Sequence, residues 1–249
     1  MIIKSDWEFG VLNVYNYKQS GKLDGYFDFI RNNHTNIEGD ICEVGVYRGS
    51  SIIATALLLK ELNSNKKVYG FDSFSGFPSY HENDNHFKFE ELFREDKISE
   101  KQYQDYLLNV GHKEFMIGKS VNSSTISTSA DFSETSLSFL EKKIEYLELD
   151  NIILVDGDYK STMTNKVYEN NQFMSALIDC DLYESHKIAL PFVWDRMVND
   201  GYMYLDEYYS LKFPGARIAT DDFFSDKMDK PQMYARKPMD FERWFVIKK

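Results

Sequence analysis

Cysteine and proline are scarce in this 249-residue chain, basic residues are outnumbered, and no long apolar run occurs. Two cysteines, Cys42 and Cys180, are too few for a disulfide framework, and both fall in apolar runs, where a free thiol behaves as a small hydrophobe. Reduced, buried thiols are expected. Five prolines and 13 glycines beside 43% hydrophobic and 28% charged residues exclude disordered and fibrous chains. Only 29 Lys and Arg stand against 40 Asp and Glu, a formal net charge of −11 that speaks against a nucleic-acid partner. No stretch approaches the roughly 18 apolar residues of a membrane span. The opening MIIKSDWEFG lacks the basic flank, apolar core and cleavage site of a signal peptide. A cytoplasmic protein with no membrane partner, folded as one domain over residues 1–249, is expected.

What is present is an alternation of short β-rich runs and helical stretches. The runs are Asp40 to Val46, Lys67 to Phe71, Ile152 to Val155, Phe173 to Ile178, Tyr202 to Leu205 and Trp244 to Ile247. Ser50 to Leu62 (SSIIATALLLKEL) has the composition of a buried helix, so strand, turn, helix and strand form a βαβ unit, which forces a parallel sheet. Ser133 to Leu149 is a second helix, with Ser133 at its opening and Ser136 as a cap. Ser185 to Met197 is a third; because it contains Pro191, it either starts late or is kinked. The segment 78–130 holds three of the five histidines and only one short expected helix, Glu100 to Leu108. It leaves the sheet at the end of the second strand, the edge where open α/β sheets bind ligands, so a lid is expected, with an oligomer contact as the competing role. Ser210 to Phe241 reads as loop.

Chemistry concentrates at strand ends. Glu43-Val44-Gly45-Val-Tyr47-Arg-Gly49-Ser50-Ser51 lies between the first strand and its helix, where glycines admit a ligand close to the main chain and the helix supplies free N–H groups. The spacing differs from the dinucleotide fingerprint. A carboxylate opening such a loop repels a pyrophosphate and suits a ligand with a cationic amine and a sulfonium, which points to S-adenosylmethionine. Asp72, followed by Ser73, ends the second strand 27 positions after Gly45, where an acid commonly accepts bonds from ribose hydroxyls. A second constellation, Asp179-Cys-Asp181-Leu-Tyr-Glu184 with Asp206-Glu207, gathers carboxylates at two further strand ends. Such acids commonly cap helices, but two clusters on adjacent ends favour a shared Mg²⁺ or other divalent cation with oxygen ligands. If the segment is extended, Asp179 and Asp181 share a face. One then ligates metal while the other reaches substrate. His81, His86 and His112 are candidates for an acceptor pocket, though surface positions are expected for each.

The motifs EVGVYRGSS, FDSFSGFP, DCDLYES, LDEYYSLKFPGAR and the closing RWFVIKK resemble the macrocin O-methyltransferase family in order along most of the chain, least in 78–130. The resemblance implies a doubly wound, mostly parallel Rossmann-like methyltransferase sheet with an antiparallel C-terminal strand and a lid insertion. It implies a class I enzyme that uses S-adenosylmethionine and a divalent metal to methylate a sugar hydroxyl. Residue by residue, it implies that Glu43, Gly45 and Gly49 shape the donor loop and Asp72 holds the ribose. It sets Asp158 and Tyr159 beside the adenine and makes Asp179, Asp206 and Glu207 the metal ligands. Family members usually carry two aspartates where this chain has Asp206-Glu207. Asp156 and Lys160 also depart from the family pattern.

The expected partner is a small-molecule sugar, either nucleotide-linked or carried on a glycoside or polymer. Asp181 is the expected base, and a homo-oligomer is expected. A small phenol is the rival acceptor, and a non-catalytic nucleotide-binding protein the rival of another class.

Overall fold

The computed structural model describes residues 3–164, 166, 168–234 and 241–249. Two helices, α1 (Asp6–Val11) and α2 (Asp24–Asn33), precede the βαβ unit of β1 (Asp40–Val44), α3 (Ser50–Glu61) and β2 (Val68–Asp72). The chain continues through α4 (Lys88–Arg94), α5 (Glu100–Ile117), α6 (Leu137–Tyr146), β3 (Ile152–Asp156) and α7 (Tyr159–Thr162) to β4 (Phe173–Ile178). It ends with α8 (Tyr183–Arg196), β5 (Met197–Leu205), α9 (Gly215–Phe224), β6 (Gln232–Met233) and β7 (Trp244–Ile247). The sheet order is β3-β2-β1-β4-β5-β7-β6, parallel from β3 to β5. β7 runs antiparallel to both β5 and β6. The doubly wound sheet with an antiparallel end is therefore as the sequence implies, and strand order reverses between β1 and β4, where such sheets bind ligands.

Each face of the sheet has its own core. Along β5, Tyr202 and Tyr204 face one cluster with α2 and α3, and Met203 and Leu205 face the other with α8 and α9. α3 is buried nearly all round from Ile52 to Leu59, which suits its apolar composition; each such Ile or Leu contributes about 1.5–3 kcal/mol relative to exposure. Both cysteines are free and buried as expected. Among the described residues no helix is long and apolar enough to cross a membrane.

Four local expectations change. Ser210 to Phe241 is not all loop: α9 and β6 lie within it. Ala216, Ala219, Thr220 and Phe224 form a buried stripe at helical spacing, and Pro214 sits at the N-cap, where its missing N–H costs nothing. The helix of 78–130 extends from Glu100 to Ile117 and is joined by α4, because Phe89, Leu92, Ile98 and Tyr106 form a core of their own. α6 opens at its Ser136 cap rather than at Ser133, the Ser136 hydroxyl accepting from Phe139 N–H. Finally, α8 starts at Tyr183 and runs through Pro191, so it does not start late.

Candidate methyl-donor and cation site

A cavity of about 450 Å³ opens at the switch between β1 and β4. Its wall takes in Gly45, Tyr47, Ser50, Ser51, Asp72, Ser73, Asp158, Tyr159, Asp179 and Asp181, ten of the residues singled out in the sequence. The loop from β1 to α3 is fixed by two devices. Gly45 has φ +90, and a Cβ there would lie 1.9 Å from the Asp179 carbonyl oxygen, so only glycine lets the loop press against the end of β4. Asp72 accepts from Val46 and Tyr47 N–H through Oδ2 at 2.7 and 2.8 Å, and from Phe74 N–H through Oδ1 at 2.7 Å. Those bonds hold Tyr47 at φ +50, an uncommon conformation for a bulky residue. Gly49, with φ +77, caps α3 outside the cavity wall, where a Cβ would meet Leu140. Asp158 caps α7 through Lys160 N–H, and Tyr159 bonds the Phe71 carbonyl at 3.3 Å.

Glu43 and Val44 lie beneath the cavity in β1. Val44 is packed in the core, and its carbonyl accepts from Asp179 N–H at 2.9 Å. Glu43 is fully buried; Ser51 Oγ donates to Oε1 at 2.6 Å, and Oε2 has no partner. Burial pushes its carboxyl up to about 8 from 4.5. A folded-state pKa above the unfolded one means that the fold loses stability as pH rises from 4.5 through about 8. Glu43→Gln keeps the shape and removes that loss. Its thermal midpoint should exceed that of the parent at pH 8 and approach it at pH 5; parallel pH profiles in calorimetry would refute the assignment.

The acids gather at the mouth. Carboxylate oxygens of Asp179, Asp206 and Glu207 lie within 4.8 Å of one another. Asp206 and Glu207 stand in a 3-10 turn directly after β5. The longer Glu207 still reaches the cluster. Two lysines that the sequence reading missed serve this group. Lys22 Nζ is 2.9 Å from Asp206 and 4.0 Å from Asp179, and Lys212 Nζ is 3.6 Å from Glu207 and 3.8 Å from Asp181. Burial works against the charge of Lys22, but Asp179 and Asp206 outweigh it, and Glu207 foremost acts on Lys212, so both ammoniums are held well above the usual lysine range. Asp181 Oδ1 is buried without a hydrogen-bond partner. Burial, then Glu207, pushes its carboxyl well up, and burial with Asp206 does the same to Asp179 although 28% of that side chain is exposed. Asp179 and Asp181 do not alternate along a strand as expected, because β4 ends at Ile178 and Asp181 takes φ +55. The turn nonetheless aims both at the cavity.

None of the three histidines of the insertion is in the cavity wall. His112 is exposed and His81 stacks on Tyr183. His86, expected at the surface, is buried, because the insertion folds α5 over it, with Nδ1 3.0 Å from the Tyr106 hydroxyl. Phe77 and Phe132, with ring centroids 4.9 Å apart, add an aromatic wall that the sequence reading did not single out.

The sequence model of the macrocin O-methyltransferase family matches residues 22–117, a stretch that holds the glycine loop and Asp72 and stops before the acid clusters. No curated protein is matched. The structure is similar to CalS11, a calicheamicin methyltransferase, with TM-score 0.62 and 17% identity over 98% of this chain and 80% of that one. An apo structure of CalS11, there described as TDP-rhamnose 3'-O-methyltransferase, gives 0.52 and 17% over 89% and 76%. It is also similar to the O-methyltransferase NovP, with 0.60 and 17% over 90% and 79%. For an O-methyltransferase from Bacillus cereus in complex with SAH, the values are 0.52 and 12% over 100% and 94%. At these identities the likeness is one of fold.

Proposed function

We propose that this protein transfers a methyl group from S-adenosylmethionine to a sugar hydroxyl with the help of a divalent cation. The observation that carries the reading is that Asp179 belongs to both halves of the site: its backbone abuts the glycine loop and its carboxylate joins the acid cluster. The donor fits the residues present: the cavity is walled by the glycine loop and by Asp72, and the orphaned Glu43 Oε2 lies behind Ser51 of that wall, where a cationic amine in the cavity would favour its ionised form. The cation fits as well. Three carboxylates offer hard oxygen atoms, and the two ammoniums leave this four-acid group short of neutrality. Mg²⁺ would supply Lewis acidity to the acceptor oxygen.

The chain's own residues do the rest. The loop of Gly45 to Ser51 orients the donor, and three N–H bonds leave Asp72 about one free lone-pair site for a ribose hydroxyl. Asp158 and Tyr159, both in the cavity wall, would flank the adenine. Asp181, whose Oδ1 has Lys212 Nζ at 3.8 Å and no hydrogen-bond donor, takes the acceptor proton. Holding donor and acceptor in line makes the displacement effectively intramolecular. Asp72→Ala should weaken donor binding by about 1.5–3 kcal/mol, roughly 10- to 100-fold, since it removes a charged acceptor and unties Tyr47. Unchanged affinity in calorimetry would reject that role.

Titration with S-adenosylmethionine with and without Mg²⁺, followed by methyl-transfer assays on free, glycosidic and nucleotide-linked sugars with catechol alongside, tests the whole reading. Transfer to a sugar supports it. Transfer to catechol alone moves the acceptor to the phenols, for which the Phe77 and Phe132 wall is suited, and no donor binding rejects catalysis.

A further inference from the structure

Resting on the cation reading above, we propose that the helical segment of residues 78–130 is a brace that positions the Glu207–Lys212 loop and the Asp181 turn. The two acid-bearing segments come from different strand ends; the sheet holds only their first residues, Asp179 through its N–H bond to the Val44 carbonyl of β1 and Tyr208 through its ring edge against Trp244 of β7. α5 grips the first of them three times. Gln102 Nε2 donates to the Ser210 carbonyl at 3.1 Å, Asn109 Nδ2 donates to the Leu211 carbonyl at 3.0 Å, and the Tyr209 hydroxyl donates to Asp105 Oδ2 at 2.9 Å. Side chains of the same loop are sorted by the segment's two small cores. Leu211 packs on the cluster of Phe89 and Tyr106, and Phe213, fully buried, packs with Val121, Ile126 and Leu182. Lys212, between them, is thereby turned to Glu207 and Asp181.

The second acid-bearing segment is tied by Asp84, itself 1% exposed. Its Oδ1 accepts from Tyr183 N–H and its Oδ2 from His81 N–H, both at 2.8 Å. That bond fixes the first turn of α8 immediately after Asp181 and Leu182. Gly215 makes room for it: a Cβ there would lie 2.1 Å from Asp84 Oδ1. The bonds of α5 and Asp84 therefore set the spacing between Glu207 and Asp181 without touching donor or acceptor. Gln102 and Asn109 are positioning residues for the loop that follows the cation ligand Glu207, and Asp84 for the turn that carries Asp181; affinity for a hard cation falls when its ligands lose their outer supports.

The test uses the full chain and the double variant Gln102→Met, Asn109→Ala, which removes two donors from the loop. Leu92→Ala, which opens a hole in the α4–α5 core and leaves those donors in place, is the control. Calorimetry with Mn²⁺ should show cation binding weaker by about 10-fold or more in the double variant. S-adenosylmethionine affinity should be unchanged, and amide exchange across residues 207–213 of the metal-free protein should be faster. Leu92→Ala should lower the thermal midpoint and move neither readout. Parent-like Mn²⁺ affinity and exchange in the double variant would overturn the brace, as would equal loss in the control. A parent protein that takes up no Mn²⁺ would overturn the cation reading instead, and the exchange measurement then still decides whether α5 holds the loop.

Discussion

Asp181→Asn is expected to lower the turnover number by about 10²- to 10⁴-fold while donor and cation affinities stay close to those of the parent. Asparagine tolerates the left-handed backbone that Asp181 adopts at φ +55, so the turn after β4 should survive the change. It keeps the size and an acceptor oxygen and removes the ability to take a proton. Burial and Glu207 hold the parent carboxyl well above the ordinary range, so its basic form accumulates as pH rises. The parent rate should therefore climb with pH, and a cation in the cluster should move that climb to lower pH by favouring the ionised form. The variant should lack the limb. If Asp181→Asn instead loses cation affinity and keeps its turnover at saturating Mg²⁺, Asp181 is a ligand and another group takes the proton.

The positions of Asp179, Asp181, Asp206 and Glu207 were legible because each follows an apolar run, and a run that ends in acids at a parallel strand's C-terminal end has few places to go. The glycine loop was legible for the same reason. Lys22 was not. It pairs with Asp206 across 184 positions, and a single lysine before a short helix carries no periodic or spacing signal. Asp84 is the same case, since its partner Tyr183 lies 99 positions away and only the packing of the insertion brings them together. α9 was hidden by its chemistry: two aspartates and a preceding proline suggest a loop, whereas its buried stripe depends on α8 being there to receive Phe224. His86 shows the converse error, because a polar residue in a polar segment was expected at the surface and the local core of the insertion claimed it.

Removal of divalent cations has the other large expected effect. Exhaustive EDTA treatment should abolish turnover, Mg²⁺ should restore it, and donor affinity should change little. The charge balance of the site requires this separation. Four carboxylates face two ammoniums, and burial together with the neighbouring acids raises the carboxyls of Asp179 and Asp181, so that both keep their protons to higher pH than an ordinary carboxylate. A cation would displace those protons, and the basic form of Asp181 would then accumulate at lower pH. Uptake of Mg²⁺ should accordingly release protons, which calorimetry in buffers of different ionisation heat detects. Gly45, Asp72 and Tyr159 line the donor side of the cavity and make none of the lysine contacts of the cluster, so emptying the cluster leaves the donor loop tied by Asp72. Full turnover after chelation would sink the cation's role, and Lys22 and Lys212 would then be the cations the acids serve.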